Sequence, residues 1–318
     1  MFYHPGHAIN KLQLPFLNMK RIIAILSALF LICSCMTDRL HEYPDQLVVE
    51  GWIENGEAPM VFVTSTVAAT EKSQNASDLI EHLALNAKVT VTYKGREYRL
   101  LPAFTRDYLL GLCYTTDKLK GVVGGEYKLD VEWKGMTASG TTSISSPGSI
   151  DSISVKVSDD DDTLYVIKAH IQPGGNRYYR FFTKVIGEDS TYTASFLGLY
   201  DRDLINEDDL HFVNRGNSNP FLKQQLYYRN NDSVSIKLAA IDASAYEFWR
   251  KFNENVAFGS LALIPYANNV VGNLDGALGY WFGYGTTKYE LRIENFWSSE
   301  RRESLLSIPS RDKNHGTK

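Results

Sequence analysis

The chain has 318 residues, of which 44% are hydrophobic and 22% are charged, a composition typical of a folded globular protein. Its formal net charge of −4 does not supply the basic surface that nucleic-acid binding requires, so we exclude nucleic acid as a partner. Three cysteines are too few for a disulfide framework or a zinc site. The 19 Tyr and 15 Phe favour strands over helices.

The N-terminal region predicts a lipoprotein signal peptide over residues 19–34. Lys20 and Arg21 precede an apolar run over residues 22–32. This run is too short to span a bilayer as a helix, and the order of charged and apolar segments is typical of a secretory signal. Residues 1–18 precede this complete signal, and we interpret them as an extension from a start codon assigned too early.

The end of the apolar run resembles a bacterial lipobox. With Cys35 as the lipid acceptor, Ile32, Cys33 and Ser34 supply the aliphatic residue and the two small residues before it. With Cys33 as the acceptor, bulky Ile32 would directly precede it. We therefore expect Cys35 to carry the lipid and residues 35–45 to form a tether, because two or more fatty chains anchor a protein stably. The alternative is a plain N-terminal anchor helix with incidental cysteines.

Residues 46–147 show a repeated strand pattern. In the segment GEYKLDVEWKG at 125–135, apolar residues occupy every second position, which predicts a strand with one buried face and one solvent-facing face. Turn signals separate such runs at Asn55-Gly56, Lys94-Gly95, Gly124-Gly125 and Lys134-Gly135. The pattern predicts an immunoglobulin-like or transthyretin-like sandwich.

A second β domain is predicted over residues 148–293, after Pro147-Gly148 in a serine-rich stretch. The fold class is therefore all-β, with two β-sandwich domains and one notable helix in the second. The segment at 276–293 predicts a hairpin or a last pair of strands. Residues 294–318 are polar and predict a disordered tail.

The predicted helix lies near residues 244–256. Ser244 and Glu247 form a capping-box pattern at its start. Apolar residues follow at helical spacing, which predicts one buried face. They are Ala245, Trp249, Phe252 and Val256.

Several segments, taken in order behind the lipobox, resemble domain-of-unknown-function family 4249 of the Bacteroidota. They are LVVEGWIENGEAPMVFVTST, AKVTVTYKG, GGEYKLDVEWKG running into SSPGSIDSISV, and NNVVGNLDGALGYWFGYGTTKYEL. The resemblance covers residues 35–293. It implies an outer-membrane lipoprotein encoded beside a TonB-dependent receptor, in a family without an assigned activity. It implies an accessory or substrate-capture role. Only Asp38 is acidic directly after Cys35, so the cell surface and the periplasmic face both stay open.

Enzyme motifs are absent from the sequence. It contains neither a His-Glu-x-x-His helix, nor a Gly-x-Ser-x-Gly elbow, nor a phosphate-binding glycine loop. Cys113 lies in the apolar run YLLGLCYTT, which predicts a buried structural thiol. We therefore expect a protein that is not an enzyme and needs no cofactor.

Two acidic segments are speculative calcium sites, because calcium prefers oxygen ligands. The segment at 158–163 has adjacent carboxylates between two strands, which is also typical of a solvated loop. The segment at 201–209 lacks the glycine and the spacing of an EF-hand loop. The candidate ligands are Asp159, Asp160, Asp161, Asp162, Asp201 and Asp203.

The aromatic run at 280–284 is the candidate ligand-binding segment, with Tyr280, Trp281 and Tyr284 as its residues. In a strand, Trp281 shares its face with two glycines. One interpretation is that the other aromatic row fills a core and the glycines admit a neighbouring backbone. The other is that Trp281 lies exposed over a glycine floor and stacks on a sugar or a peptide side chain. The segment NRYYRFF at 176–182 carries the same two interpretations.

These features predict a non-catalytic binding or docking protein, tethered through Cys35, that supports a TonB-dependent receptor. The alternative is a structural surface component or adhesin, which would self-associate without binding a small ligand. A hydrolase or metal-dependent enzyme comes third, because it would need the acidic segments 158–163 and 201–209 to converge.

Overall fold

Alternating apolar residues form a predominantly β structure, and the predicted all-β class with one notable helix is confirmed. The computed structural model of the protein describes the following residues: 45–66, 82–105, 107, 111–159, 161–172, 175–204, 211–216, 226–258, 270–294 and 303–307.

The strands of the N-terminal half are β1 (Leu47–Glu54), β2 (Met60–Ser65), β3 (Lys88–Tyr93), β4 (Arg96–Phe104), β5 (Leu112–Thr115), β6 (Glu126–Trp133) and β7 (Met136–Ser143). Those that follow are β8 (Ile150–Val157), β9 (Leu164–Ile171), β10 (Tyr178–Val185), β11 (Thr193–Asp201), β12 (His211–Phe212), β13 (Tyr228–Arg229), β14 (Ser233–Ile241), β15 (Leu274–Asp275), β16 (Leu278–Arg292) and β17 (Glu303–Ser307). A 3-10 turn (Arg202–Leu204) follows β11, and the helix α1 (Ala243–Phe258) follows β14.

The strands form one large and one small sheet. The large sheet has 12 strands in the order β11-β10-β14-β16-β1-β2-β5-β4-β3-β6-β7-β15. The small sheet has the order β12-β9-β8-β17, and β13 also pairs with β9. Strands β1 and β16 pair in parallel, which places the first strand beside the long strand β16 within the large sheet.

Two of the predicted turns have the geometry that two-residue hairpins require. Lys94 and Gly95 have φ angles of 50° and 75° between β3 and β4. Lys134 and Gly135 have φ angles of 47° and 80° between β6 and β7. Two successive positive φ angles define the turn whose twist matches that of the flanking strands, so both sequence signals are confirmed.

Two of the three hydrophobic clusters among the described residues lie on the two sides of the predicted junction, and the third joins α1 to β14 and β16. The first draws on residues 47–144 together with Trp281, and the second on residues 150–240 together with Ile293. The junction at Pro147 falls between them. Because β16 belongs to one continuous sheet with strands from both halves, the division into two domains stays a prediction.

The C-terminal aromatic segment differs from the expected hairpin. It forms the single strand β16, which has 15 residues. Gly283 and Gly285 do not turn the chain. A Cβ atom at either position would overlap the carbonyl oxygen of Ser143 or Ser145, so both glycines allow the end of β7 and the following loop to cross closely over β16.

Helix α1 lies where the sequence predicts it, but its N-cap residue differs from the predicted one. Asp242 is the N-cap residue, because its Oδ1 accepts hydrogen bonds from the Ala245 backbone N–H at 2.7 Å and from the Ser244 hydroxyl at 2.8 Å. The predicted capping box is therefore wrong: the carboxylate of Asp242 takes the role expected of Ser244. Glu247 instead forms an ion pair with Arg250 at 2.8 Å.

The predicted apolar face of α1 is buried over its first half only. Ala245 and Trp249 pack against the large sheet, whereas the side chains of Phe252 and Val256 are 43% and 64% exposed. Within the part of the chain that the structure describes, α1 included, no helix is both long and apolar enough to cross a membrane.

The tail contains one strand where the sequence predicts disorder. Strand β17 pairs antiparallel with β8, and Leu305 lies opposite Ser154 in this register. Backbone pairing with the edge of the small sheet therefore orders residues 303–307.

Candidate functional site

A cleft of about 800 Å³ opens on the outer face of the large sheet beside α1. Strands β2, β1, β16, β14 and β10 contribute neighbouring parts of its wall, and α1 borders it. Its principal side chains are Glu50, Trp52, Glu54, Met60, Phe62, Arg180, Phe182, Tyr192, Lys237, Trp249, Tyr280, Tyr284 and Lys288. A space of this size is sufficient for a small organic ligand.

Strand alternation determines which side chains face the cleft. In β1, Val49 and Ile53 point into the first core, and Trp52 and Glu54 point the opposite way. The parallel register places Glu54 beside Tyr284 of β16. The cleft therefore assembles from residues that are far apart in the sequence but share one face of the sheet.

Arg180 is the most unusual side chain in the cleft. Only 7% of it is exposed, and its guanidinium carbon lies 3.7 Å from the centroid of the Trp249 ring and 5.2 Å from that of Phe182. In the described part of the chain, no Asp or Glu forms an ion pair with it. Burial lowers the pKa of Arg180, and the nearby hydroxyl of Tyr284 opposes that shift.

The neighbouring lysines, in contrast, are paired. Lys237 Nζ lies 2.5 Å from Glu54 Oε1, and both side chains are buried. Lys288 Nζ lies 2.8 Å from Glu57 Oε1 nearer the surface. A buried charge is costly unless it is compensated, and these two cations are compensated by carboxylates. Among the described residues, aromatic faces and a phenol compensate the charge of Arg180.

Helix α1 supplies the wall that holds this phenol. Trp249 Nε1 donates a hydrogen bond to the Tyr284 hydroxyl at 3.2 Å. Burial raises the pKa of Tyr284 to about 12, so the hydroxyl stays neutral at physiological pH. The cap at Asp242 fixes where α1 begins and thereby where Trp249 lies over the sheet.

The opposite wall is apolar and aromatic. The rings of Trp52 and Phe62 stack with centroids 5.8 Å apart and an interplanar angle of 24°. Glu50 pairs with Phe62 across the two strands and also lines the cleft. Burial by the surrounding wall raises the pKa of Glu50. A planar or aliphatic group would find a matching surface along this wall.

The structure separates the three aromatic residues that the sequence nominates. Tyr280 and Tyr284 line the cleft. Trp281 does not: it is fully buried, and its Nε1 donates a hydrogen bond to the Tyr127 carbonyl at 3.0 Å. Its ring lies so close to Gly51 that a Cβ there would be 2.8 Å away. Of the two interpretations of this segment, the exposed Trp281 platform is therefore wrong, because this side of β16 faces the first core.

Carboxylates of both acidic segments form hydrogen bonds or ion pairs with nearby side chains and backbone groups. Asp161 accepts hydrogen bonds from the Thr163 backbone N–H at 2.8 Å and from its hydroxyl at 2.6 Å, in the turn between β8 and β9. Asp201 accepts two hydrogen bonds from Arg177, at 2.8 and 2.7 Å, and Asp203 lies 3.0 Å from the same guanidinium.

These contacts bear on the speculative calcium sites. Asp159 and Asp162 lie in the same turn as Asp161, and Asp160 lies outside the described residues. Among the residues that are described, no three His, Cys, Asp or Glu side chains converge as a metal site would require.

The sequence predicts a role for two cysteines, Cys113 and Cys35. Cys113 is a buried free thiol, as predicted, and burial raises its pKa. Cys35, the predicted lipidation site, lies outside the described residues.

No residue of the charged part of the cleft was predicted from the sequence. A single arginine between aromatic pairs in the strand YYRFF was an available signal for Arg180. Nothing comparable marks the pair of Glu54 and Lys237, whose carboxylate and ammonium come from positions far apart in the chain.

Fold and cleft together define an all-β protein of a large and a small sheet, with a helix-bordered cleft of mixed aromatic and charged lining. The chain belongs to the family described as Domain of unknown function (DUF4249), whose model matches residues 37–290. No curated protein matches it.

Proposed function

We propose that this protein is a non-catalytic binding protein that holds a small ligand in the cleft and supports a TonB-dependent receptor at the outer membrane. The observation that carries the proposal is the cleft of about 800 Å³ with Arg180 in its wall, buried and without a carboxylate partner among the described residues. Such a cleft favours ligand binding over a purely structural surface role.

The chemistry of the groups around Arg180 favours binding over catalysis. Arginine keeps its proton at physiological pH, and the hydroxyl of Tyr284 is held neutral by burial. Lys237 is already paired with Glu54. Groups that keep one protonation state can hold and orient a ligand, but they are poor proton donors and acceptors in a reaction.

The membrane location rests on the predicted lipid at Cys35. A lipid on this residue and the tether of residues 35–45 would hold the body of the protein close to the bilayer and within reach of an integral receptor. The family match supports this part of the proposal, because it is the family whose members the sequence resemblance links to such receptors.

The experiment is a crosslinked pull-down of the native lipoprotein from detergent-solubilised outer membranes, with Cys35→Ala as the unanchored control. We expect the wild-type chain to recover one stoichiometric TonB-dependent receptor and the Cys35→Ala chain to lose it. Recovery of only further copies of this chain, or of fibrous surface proteins, would contradict the receptor role and favour the adhesin alternative.

A further inference from the structure

We infer that the cleft selects a small organic monoanion, such as the anion of a carboxylic acid, whose charged group pairs with Arg180. This inference rests on the proposed binding function and adds the chemical class of the ligand. It follows from the lack of a carboxylate beside Arg180, from the position of its guanidinium in the cleft and from the apolar side chains of the opposite wall.

Arg180 differs from the other three cations that line the cleft. Lys237 and Lys288 each have a carboxylate within 2.8 Å, and Lys184 donates to the Ser190 carbonyl. Arg180 is 7% exposed and has no carboxylate contact among the described residues. An incoming anion would supply that contact, whereas a neutral ligand would not.

Arg180 lines the cleft beside the Tyr284 hydroxyl, which stabilises its charge. A guanidinium carries five N–H donors, and stacking on Trp249 covers its face without using the donors at its edge. Within the described residues, the buried side-chain atom that lacks a hydrogen-bond partner is Asn230 Oδ1 and not a nitrogen of Arg180. Because Arg180 lines the cleft, a guanidinium donor that the Tyr284 hydroxyl does not occupy would meet a ligand there.

One guanidinium matches one negative charge. Its planar pair of donors fits the two oxygens of a carboxylate, in the geometry that makes such pairs strong. A phosphate dianion would need further cations, but Lys237 and Lys288 are already engaged by Glu54 and Glu57, and Lys184 donates to the Ser190 carbonyl. A monoanion is the better match.

The body of the ligand is indicated by the wall across from Arg180. The stacked rings of Trp52 and Phe62, together with Met60, offer an apolar and aromatic surface. A ligand with its charge at one end and a planar or aliphatic body at the other would contact both sides of the cleft.

A fluorescence titration with two matched dyes tests the inference. Anilinonaphthalenesulfonate is an aromatic monoanion, and phenylnaphthylamine has the same rings without the charge. The protein is the mature chain 35–318 with Cys35→Ala, so that no lipid or detergent binds the dyes. We expect Arg180→Met to weaken the anionic dye by about tenfold or more, since hydrogen bonds to charged groups are worth that much, and to change the neutral dye less than about threefold.

Lys184→Met is the matched control. Lys184 also lines the cleft, but its Nζ donates to the Ser190 carbonyl at 2.8 Å, so its loss should change the affinity for either dye less than about threefold. Equal binding of the anionic dye by the wild-type and Arg180→Met chains would overturn the inference and leave cleft binding intact. Failure of both dyes to bind the wild-type chain would contradict cleft binding itself.

A second measurement does not depend on any variant. In the wild-type chain, phenylacetate should displace the anionic dye, and phenylacetamide at the same concentration should not, because the two differ only in charge and in one polar group. Equal displacement by the acid and the amide would contradict selection for an anion, even if Arg180→Met does not fold.

Discussion

The two faces of strand β16 carry aromatic side chains in very different surroundings. On one face, Trp281 is fully buried and its indole nitrogen bonds to a backbone carbonyl. On the other face, Tyr280 and Tyr284 border an open cleft with Arg180 in its wall. One strand thus belongs both to a close-packed core and to the candidate site.

Aromatic content alone therefore does not distinguish a core from a binding site. Both faces are apolar and both bury large rings. What distinguishes the cleft is a buried cation without a carboxylate partner among the described residues, next to space large enough for a ligand. The predictions below test this contrast, from the largest expected effect to the smallest.

Trp281→Ala should give the largest loss of stability. Removing a fully buried indole leaves a cavity in the first core, which costs about 3–5 kcal/mol. Trp52→Ala in the half-buried cleft wall should cost less than about 2 kcal/mol. Urea denaturation of both variants measures the difference, and equal losses would contradict the distinction between core and cleft.

Glu54→Gln should be the next most destabilising change. It leaves the ammonium of Lys237 buried without its carboxylate, which costs about 3 kcal/mol. Adding Lys237→Met in the same chain should restore most of the lost free energy of unfolding, because no uncompensated charge remains. A double variant as unstable as the single one would show that the pair contributes through packing instead of charge.

Asp201→Asn tests Arg177, an arginine that is paired with a carboxylate. Arg177 lowers the pKa of Asp201, so the ionised carboxylate stabilises the fold above its ordinary pKa, near 3.9, and this contribution is lost as the pH falls through the lower folded-state value. Thermal unfolding should show the variant to be less stable at neutral pH. The two chains should converge at acidic pH, and a pH-independent difference would contradict the ion-pair explanation.

Arg180→Met should have the smallest effect on stability, below about 1 kcal/mol. Loss of the contact with the Trp249 ring is offset by relief from burying a charge without a carboxylate. Denaturation of this variant beside Glu54→Gln is the measurement. A loss as large as that of Glu54→Gln would indicate that Arg180 is a structural residue and not a ligand-binding one.

The sequence predicts the fold class well because strands are local patterns. The alternation in β6 and the turns at Lys134-Gly135 depend on neighbouring residues only. The hairpin expected at 276–293 was wrong because glycine also permits close approach of another chain segment. Only the structure shows Ser143 lying over Gly283.

The site was less predictable, because its chemistry arises between distant segments. The sequence nominates Tyr280 and Tyr284 but cannot show that Trp249 of α1 and Arg180 of β10 meet them. Nor can a sequence pattern show which arginine lacks a carboxylate, since that depends on the register of the sheet.

The most direct test of the account is to soak crystals of the mature chain in para-bromophenylacetate and to locate bromine by its anomalous scattering. The account predicts one bromine peak in the cleft near Trp52 and Phe62, with the carboxylate on Arg180. A bromine peak elsewhere on the protein with an empty cleft, or no peak at all, would contradict it.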